Sequence, residues 1–329
     1  MAMTARERVL AALAGGTPDR PPVALWRHFP EEDQTAEGLA AATVAWQRAF
    51  PGDFVKFMPP GDYPTIDWGL RSVFDGAPGG TRRPIFHPVR DAADWDRLPG
   101  LDMREGFFGE MLAAVTLARR DLPPDVPLLQ TAFSPLTIAA KLSNGQVVEH
   151  LRDRPAAVHA GLRRIAEVAR AFADASLAAG ADGVFFATQL ADRSHLRDEE
   201  YREFGLPYDL LSLDRLPAGT PLLLHLHGTA PMLQLADRYP AGALSWHDRR
   251  VGPPLAEVRD AAGRPVSGGI DEAGIRTMTP QAAADQAVAA AQETGGRGVL
   301  ITPGCVIPVA TPAANIRAAL QVIQGGDGI

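Results

Sequence analysis

The chain has 329 residues, 46% of them hydrophobic and 22% charged, with a formal net charge of -7. That composition belongs to a folded globular protein, and its acidic balance leaves no basic footprint for nucleic acid or anionic lipid. No run of about eighteen apolar residues occurs, the opening is amphipathic rather than signal-like, and the single cysteine is Cys305, so a cytoplasmic protein with a small-molecule partner, no membrane span and no disulfide is expected.

In chain order, Ala5 to Ala14 carries apolar residues at helical spacing behind Thr4, a residue suited to cap a helix N-terminus. PVALW (Pro22 to Trp26) reads as a first strand, Ala36 to Phe50 as a helix and FVKFM (Phe54 to Met58) as a second strand. From Pro59 to Leu101 the rhythm breaks, and prolines with the run GAPGG (Gly76 to Gly80) mark a long insertion after the second strand. Such an insertion either covers an active site or is a plain surface excursion. The alternation resumes with a helix at Arg104 to Arg119, strand PLLQTAF (Pro127 to Phe133), a helix at Pro155 to Ala179, strand GVFFAT (Gly183 to Thr188) and a helix at Asp198 to Asp214. Strands PLLLHLH (Pro221 to His227), ALSWH (Ala243 to His247), PVSGGI (Pro265 to Ile270) and GVLITP (Gly298 to Pro303) follow. The last two helices, Pro280 to Glu293 and Pro312 to Gln324, each open on Thr-Pro, a cap followed by a proline at the first helical position. Eight apolar runs separated by helical segments predict an α/β chain, a single (β/α)8 barrel occupying residues 1–329 as one domain.

A parallel barrel presents its chemistry where strands end and loops begin. His225 and His227 share a face of the fifth run because strand side chains alternate with a period of two. With Cys305, just past the eighth run, they form a donor set suited to zinc; the bland alternative is two imidazoles lining a pocket and hydrogen-bonded to substrate or water. A zinc-bound Cys305 would be deprotonated near neutral pH, whereas a lone cysteine is otherwise buried filler. His247, at the end of the sixth run, is a possible fourth ligand or a structural partner of Asp248 or Arg249. Arg27, His28 and Arg249 are candidates for gripping an anionic substrate group, with ion pairs to Glu31 or Asp248 as the competing account. Gln189, Asp62, Asp67 and Asp192 follow the second and fourth strands as further polar candidates, although Asp192 beside Arg193 is more often a solvated ion pair. No phosphate-binding Gly-rich loop and no hydrolase signature is present.

Five segments in order carry a family likeness: TARERVLAALAGGTPDRPPVALW (Thr4 to Trp26), AFSPLTIAAKL (Ala132 to Leu142), EEYREFGLPY (Glu199 to Tyr208), PLLLHLHG (Pro221 to Gly228) and TPGCVIPVATPAANIRAAL (Thr302 to Leu320). Together they resemble the uroporphyrinogen decarboxylase-like superfamily over nearly the whole chain. Its members divide into decarboxylases that use no metal or cofactor and zinc-dependent methyltransferases that act with methylated corrinoids and a thiol acceptor. The decarboxylase pattern is largely missing. The first loop keeps one arginine, Arg27; Phe57-Met58-Pro59 stands where an F-S-D is expected; Lys141 replaces a tyrosine, Gln189 a serine and Cys305 a histidine. The methyltransferase pattern, H-x-C near the fifth strand plus G-C near the eighth, is similar to His225, His227 and Cys305, with His227 in place of a cysteine. The resemblance implies zinc at these three residues, a methylcorrinoid co-substrate that a corrinoid protein partner would deliver, methyl transfer to or from a small thiol or other heteroatom, and a homodimer. Uroporphyrinogen decarboxylation in porphyrin biosynthesis and a non-catalytic ligand-binding barrel are the alternatives.

Overall fold

The structure, a computed structural model, describes residues 2–240 and 242–325. Its strands are β1 (Val55–Phe57), β2 (Arg71–Val73), β3 (Arg83–Phe86), β4 (Leu128–Phe133), β5 (Gly183–Thr188), β6 (Leu222–Leu226), β7 (Ala243–Ser245), β8 (Val266–Ile270) and β9 (Val299–Pro303). Seven of them make one parallel sheet in the order β1-β4-β5-β6-β7-β8-β9. Every residue of β4, β5, β6, β8 and β9 is buried. Burial on both faces is why these strands read as predominantly apolar runs rather than as regularly alternating ones. The remaining two strands pair antiparallel within the insertion, where a 3-10 turn at Ala92–Arg97 also forms.

The first expected strand differs from the rest. Residues 22–26 make only an isolated parallel bridge, Val23 to Ile301. Pro21 and Pro22 have no N–H to offer a ladder. Val23 N–H donates to the Asp53 carboxylate at 2.8 Å instead of to a neighbouring strand. Asp53 N–H in turn donates to Val23 O (2.8 Å), and Ile301 N–H to Pro22 O (2.8 Å). Regular pairing therefore covers seven strands rather than eight, in a curled parallel α/β sheet.

Most expected helices lie within two residues of their expected bounds: Ala5–Leu13, Ala36–Ala49, Gly106–Asp121, Pro155–Ala178, Pro280–Thr294 and Ala313–Gln324. Thr4 closes a capping box with Glu7, and Thr279 caps through Ala282 N–H. Thr311 caps nothing, because its hydroxyl donates to Pro308 O at 2.7 Å and Pro312 takes the N-cap position. The expected helix Asp198 to Asp214 is two, Asp198–Phe204 and Leu206–Leu213. Pro207 cannot continue a helix, and a Cβ at Gly205 would sit 2.6 Å from the Tyr201 ring. Helices at Pro135–Leu142, Val147–Asp153 and Leu255–Ala262 were not anticipated; they are only eight, seven and eight residues long. No helix among the described residues is long and apolar enough to cross a membrane.

Candidate metal centre

Register sets the level of the site. Ala187 of β5 is beside His225 of β6, which is beside Ser245 of β7, so the C-terminal ends of these strands lie together. His225 is 3% exposed, with Nδ1 3.2 Å from Ser245 Oγ and Nε2 buried without a partner. His227 lies one residue past β6, anchored by its N–H to Thr188 O at 2.9 Å. The turn beyond it requires glycine: Gly228 has φ 129°, and a Cβ there would fall 2.0 Å from Asp192 Oδ2. Asp192 itself is fully buried and accepts Ser194 N–H and Ala230 N–H at 2.7 Å each, while Arg193 pairs with Asp198. It is thus a brace for the His227 turn and not a solvated partner of Arg193.

His247 follows β7, and its Nδ1 is 2.6 Å from Glu272 Oε1. The carboxylate can only accept, so Nδ1 carries the proton and Nε2 presents its lone pair. That Nε2 is 3.1 Å from His227 Nδ1, which is 3.8 Å from Cys305 Sγ. Cys305 sits two residues past β9, and the preceding glycine is a packing requirement, since a Cβ at Gly304 would be 2.9 Å from Glu272 Oε2 and from Trp246 O. One ligand atom from each of His225, His227, His247 and Cys305 lies within 4.8 Å of the others, the one such group of three or more among the described residues.

The donors suit a metal. Zinc bonds of about 2.0 Å to nitrogen and 2.3 Å to sulfur imply tetrahedral edges of ~3.3–3.7 Å, a range bracketed by the 3.1 Å His247–His227 and 3.8 Å His227–Cys305 separations. Burial, then the neighbouring imidazoles, hold His225 well below the usual histidine range, and the same causes bring His227 down to about 4. Both are therefore neutral at pH 7, the form that ligates. Ser245 on His225 and Glu272 on His247 occupy the nitrogens that would face away from the ion, as partners of metal-bound histidines do. Burial pushes the Cys305 thiol up, with Lys56 pulling the other way.

The other nominated residues are dispersed. Arg27 donates to Val309 O at 2.5 Å and stacks over Phe29 and Trp46, 5.4 and 5.3 Å from the ring centroids. His28 is buried with Nδ1 unpartnered, and burial with Lys56 and Lys141 nearby brings it down to about 3. Arg27 and His28 border a cavity of about 450 Å³ with Glu31, Phe74, Arg276 and Val309. Arg249 donates to Gly269 O (2.8 Å) and Gln286 O (3.3 Å), which commits it to backbone beside β8. Gln189 is half-buried, its N–H donating to Thr137 Oγ1 at 2.8 Å. Asp67 receives the N–H groups of Phe107 and Phe108, a helix cap. Asp62 accepts the Ser72 hydroxyl with one oxygen and keeps the other, Oδ1, buried and unpartnered.

Two residues at the site were not singled out from sequence. Glu272 stands two positions past β8, where the strand-end rule would have found it. Lys56 lies inside β1, only 8% exposed, its Nζ 3.8 Å from the Phe185 ring centroid and 5.1 Å from that of Trp26. A lysine in the middle of FVKFM was the visible signal. Burial draws its ammonium down to about 8.

Comparison with known proteins shows the family of the chain. A uroporphyrinogen decarboxylase from Sorangium cellulosum is 32% identical over 254 residues, 73% of this chain and 70% of that protein. A methylcobamide:CoM methyltransferase from Methanosarcina acetivorans is 26% identical over 245 residues, 72% of this chain and 69% of that protein. A solved methyltransferase from Methanosarcina mazei superposes with a TM-score of 0.86 at 19% identity, covering 98% of this chain and 99% of that one, and so shares its fold. Residues 4–325 match the sequence profile described as uroporphyrinogen decarboxylase (URO-D), and the chain belongs to that family.

Proposed function

We propose that the protein is a zinc-dependent group-transfer enzyme of the methyltransferase branch of the family, moving a methyl group to or from a small thiol or other heteroatom, with a methylcorrinoid as co-substrate. The observation that carries this reading is the convergence of three imidazoles and the chain's one thiol within 4.8 Å. His225, His227, His247 and Cys305 would hold the ion, and when bound it would supply the Lewis acidity that makes a thiol ionise at neutral pH. Ser245 and Glu272 orient His225 and His247, and Asp192 holds the His227 turn. Catalytic zinc sites keep one position exchangeable. His247 is the donor we assign to exchange, since it stands outside the H-x-H and G-C segments and is held through Glu272. In the same reading, residues 22–26 close the seven strands into an eight-rod barrel whose single domain places these loops at one mouth.

Elemental analysis of protein purified without chelator tests this directly. About one zinc per chain is expected, lost in Cys305→Ser and His225→Ala and retained in His247→Ala. Absence of zinc, with no binding on titration, overturns the metal. Methylation of a thiol by methylcobalamin is the expected activity, and uroporphyrinogen is expected to yield no coproporphyrinogen under anaerobic assay.

A further inference from the structure

The segment EEYREFGLPY (Glu199 to Tyr208) and the Asp209 that follows it contribute no donor to the cluster at the strand ends. Tyr201 and Asp209 are nonetheless fully buried, in an interior where a polar group is costly unless it is bonded. Tyr201 Oη lies 2.5 Å from Asp209 Oδ2, and Tyr239 Oη lies 2.5 Å from the same oxygen. A carboxylate can only accept, so both phenol hydrogens point at it. Tyr201 Oη is also 2.8 Å from the hydroxyl of Thr188, the last residue of β5. With its own hydrogen committed to Asp209, the Tyr201 oxygen accepts here and Thr188 Oγ1 donates. Thr188 Oγ1 in turn accepts Ala191 N–H at 3.3 Å.

This chain of bonds ends on a residue of the metal centre. Thr188 pairs with Leu226 in the last register position between β5 and β6, and its carbonyl oxygen accepts His227 N–H at 2.9 Å. His227 lies past the end of β6, so that one rung fixes its backbone where the strand no longer does. The rung is as steady as Thr188, whose side chain is tied through Tyr201 and Asp209 to the helices Asp198–Phe204 and Leu206–Leu213. Ala191 extends the tie to the far side of the His227 turn, where its carbonyl accepts Met232 N–H at 2.9 Å. Tyr239 reaches Asp209 and, at 3.3 Å, the Tyr201 oxygen, but makes no hydrogen bond to Thr188 among the described residues. We infer that Tyr201 is a positioning residue for His227, acting through Thr188, with Asp209 setting the direction of the link by taking the Tyr201 hydrogen. Under the function proposed above, on which this inference rests for the role of His227, the link keeps one metal donor in place relative to the other three.

Four substitutions separate positioning from ordinary burial. Tyr201→Phe deletes the oxygen that Thr188 bonds, and Thr188→Val deletes the hydroxyl at the other end. Tyr239→Phe takes the second phenol from Asp209 but spares the link, and Thr188→Ser keeps the hydroxyl. Hydrogen exchange of the His227 amide, followed by nuclear magnetic resonance in the metal-free protein, should quicken about tenfold in Tyr201→Phe and Thr188→Val, and by no more than about twofold in Tyr239→Phe and Thr188→Ser. Zinc affinity from chelator competition should fall about tenfold in the first pair and hold in the second. An unchanged His227 amide in Tyr201→Phe, or an equal change in Tyr201→Phe and Tyr239→Phe, overturns the positioning role. Faster exchange with undiminished zinc affinity overturns it too, because the link would then hold backbone and not the donor. Where Tyr201→Phe fails to fold, Thr188→Val against Thr188→Ser decides by the same measurements. If the unmutated protein holds no zinc, the metal reading fails, and the amide comparison still decides whether Tyr201 holds His227.

Discussion

Two clusters of ionisable side chains in this molecule are built on opposite plans. Around Asp53, just ahead of β1, the polar groups have partners: Arg8 and Arg20 each reach its carboxylate at 2.7 Å, Arg8 also binds Asp19 at 2.7 Å, and Val23 N–H fills the remaining lone pair. At the other ends of the strands the cluster is under-satisfied. His225 Nε2, His28 Nδ1, Glu272 Oε2 and Asp62 Oδ1 are all buried without a partner. The first cluster ties the irregular segment 22–26 into the sheet and has nothing left to give a ligand. The second holds groups in place at a cost in stability, the expected signature of a binding site. In parallel α/β folds, the chemistry gathers at the carboxyl ends of the strands.

The contrast can be broken most forcefully at Asp53. Asp53→Ala takes one of two carboxylates from the buried Arg8, leaving it Asp19, and strips Arg20 and Val23 N–H of their shared partner; a loss of about 3 kcal/mol in unfolding free energy is expected, read by urea denaturation. Cys305→Ser, at the opposite end, should change that free energy far less; a comparable loss would erase the distinction. Glu272→Gln is the next largest. It weakens the acceptor that orients His247 without altering its size; because His247 is the exchangeable donor, the ion should stay bound, and metal affinity measured by chelator competition should fall by no more than about tenfold. The smallest effect tests a buried acid outside both clusters. Asp209 accepts hydroxyl hydrogens from Tyr201 and Tyr239 at 2.5 Å each, yet burial pushes its carboxyl up to about 6. A raised acid pKa means that the folded state binds the proton more tightly than the unfolded state. Its contribution to stability is therefore full below about 4 and lost as pH rises through about 6. Asp209→Asn should flatten the pH dependence of unfolding in that window, and an unchanged profile would show that the two tyrosines keep Asp209 ionised throughout.

Much of the architecture was legible because parallel strands announce themselves as apolar runs. Seven of the eight runs form sheet strands, and GVFFAT matches β5 residue for residue. The first run, PVALW, failed for reasons the sequence did contain, two prolines and a carboxylate thirty residues downstream that takes Val23 N–H. The histidines were legible by another route, since period-two spacing and position at strand ends suffice to bring His225, His227, His247 and Cys305 near one another. Direction was not legible. Arg249 follows His247 by two residues, and only the short helix Asp248–Val251 turns its guanidinium toward Gly269 and away from the cluster. Lys56 was hidden by its own context, because a charge in a buried strand is rare enough to be passed over as filler.

The lone thiol has a practical consequence. With Cys305 the single cysteine in the sequence, any thiol-selective label or thiolate absorption band arises from one atom of the four-donor cluster. Protection of that atom from a chromogenic thiol reagent would therefore count occupancy of the site without background, in the intact protein and without an assay for turnover.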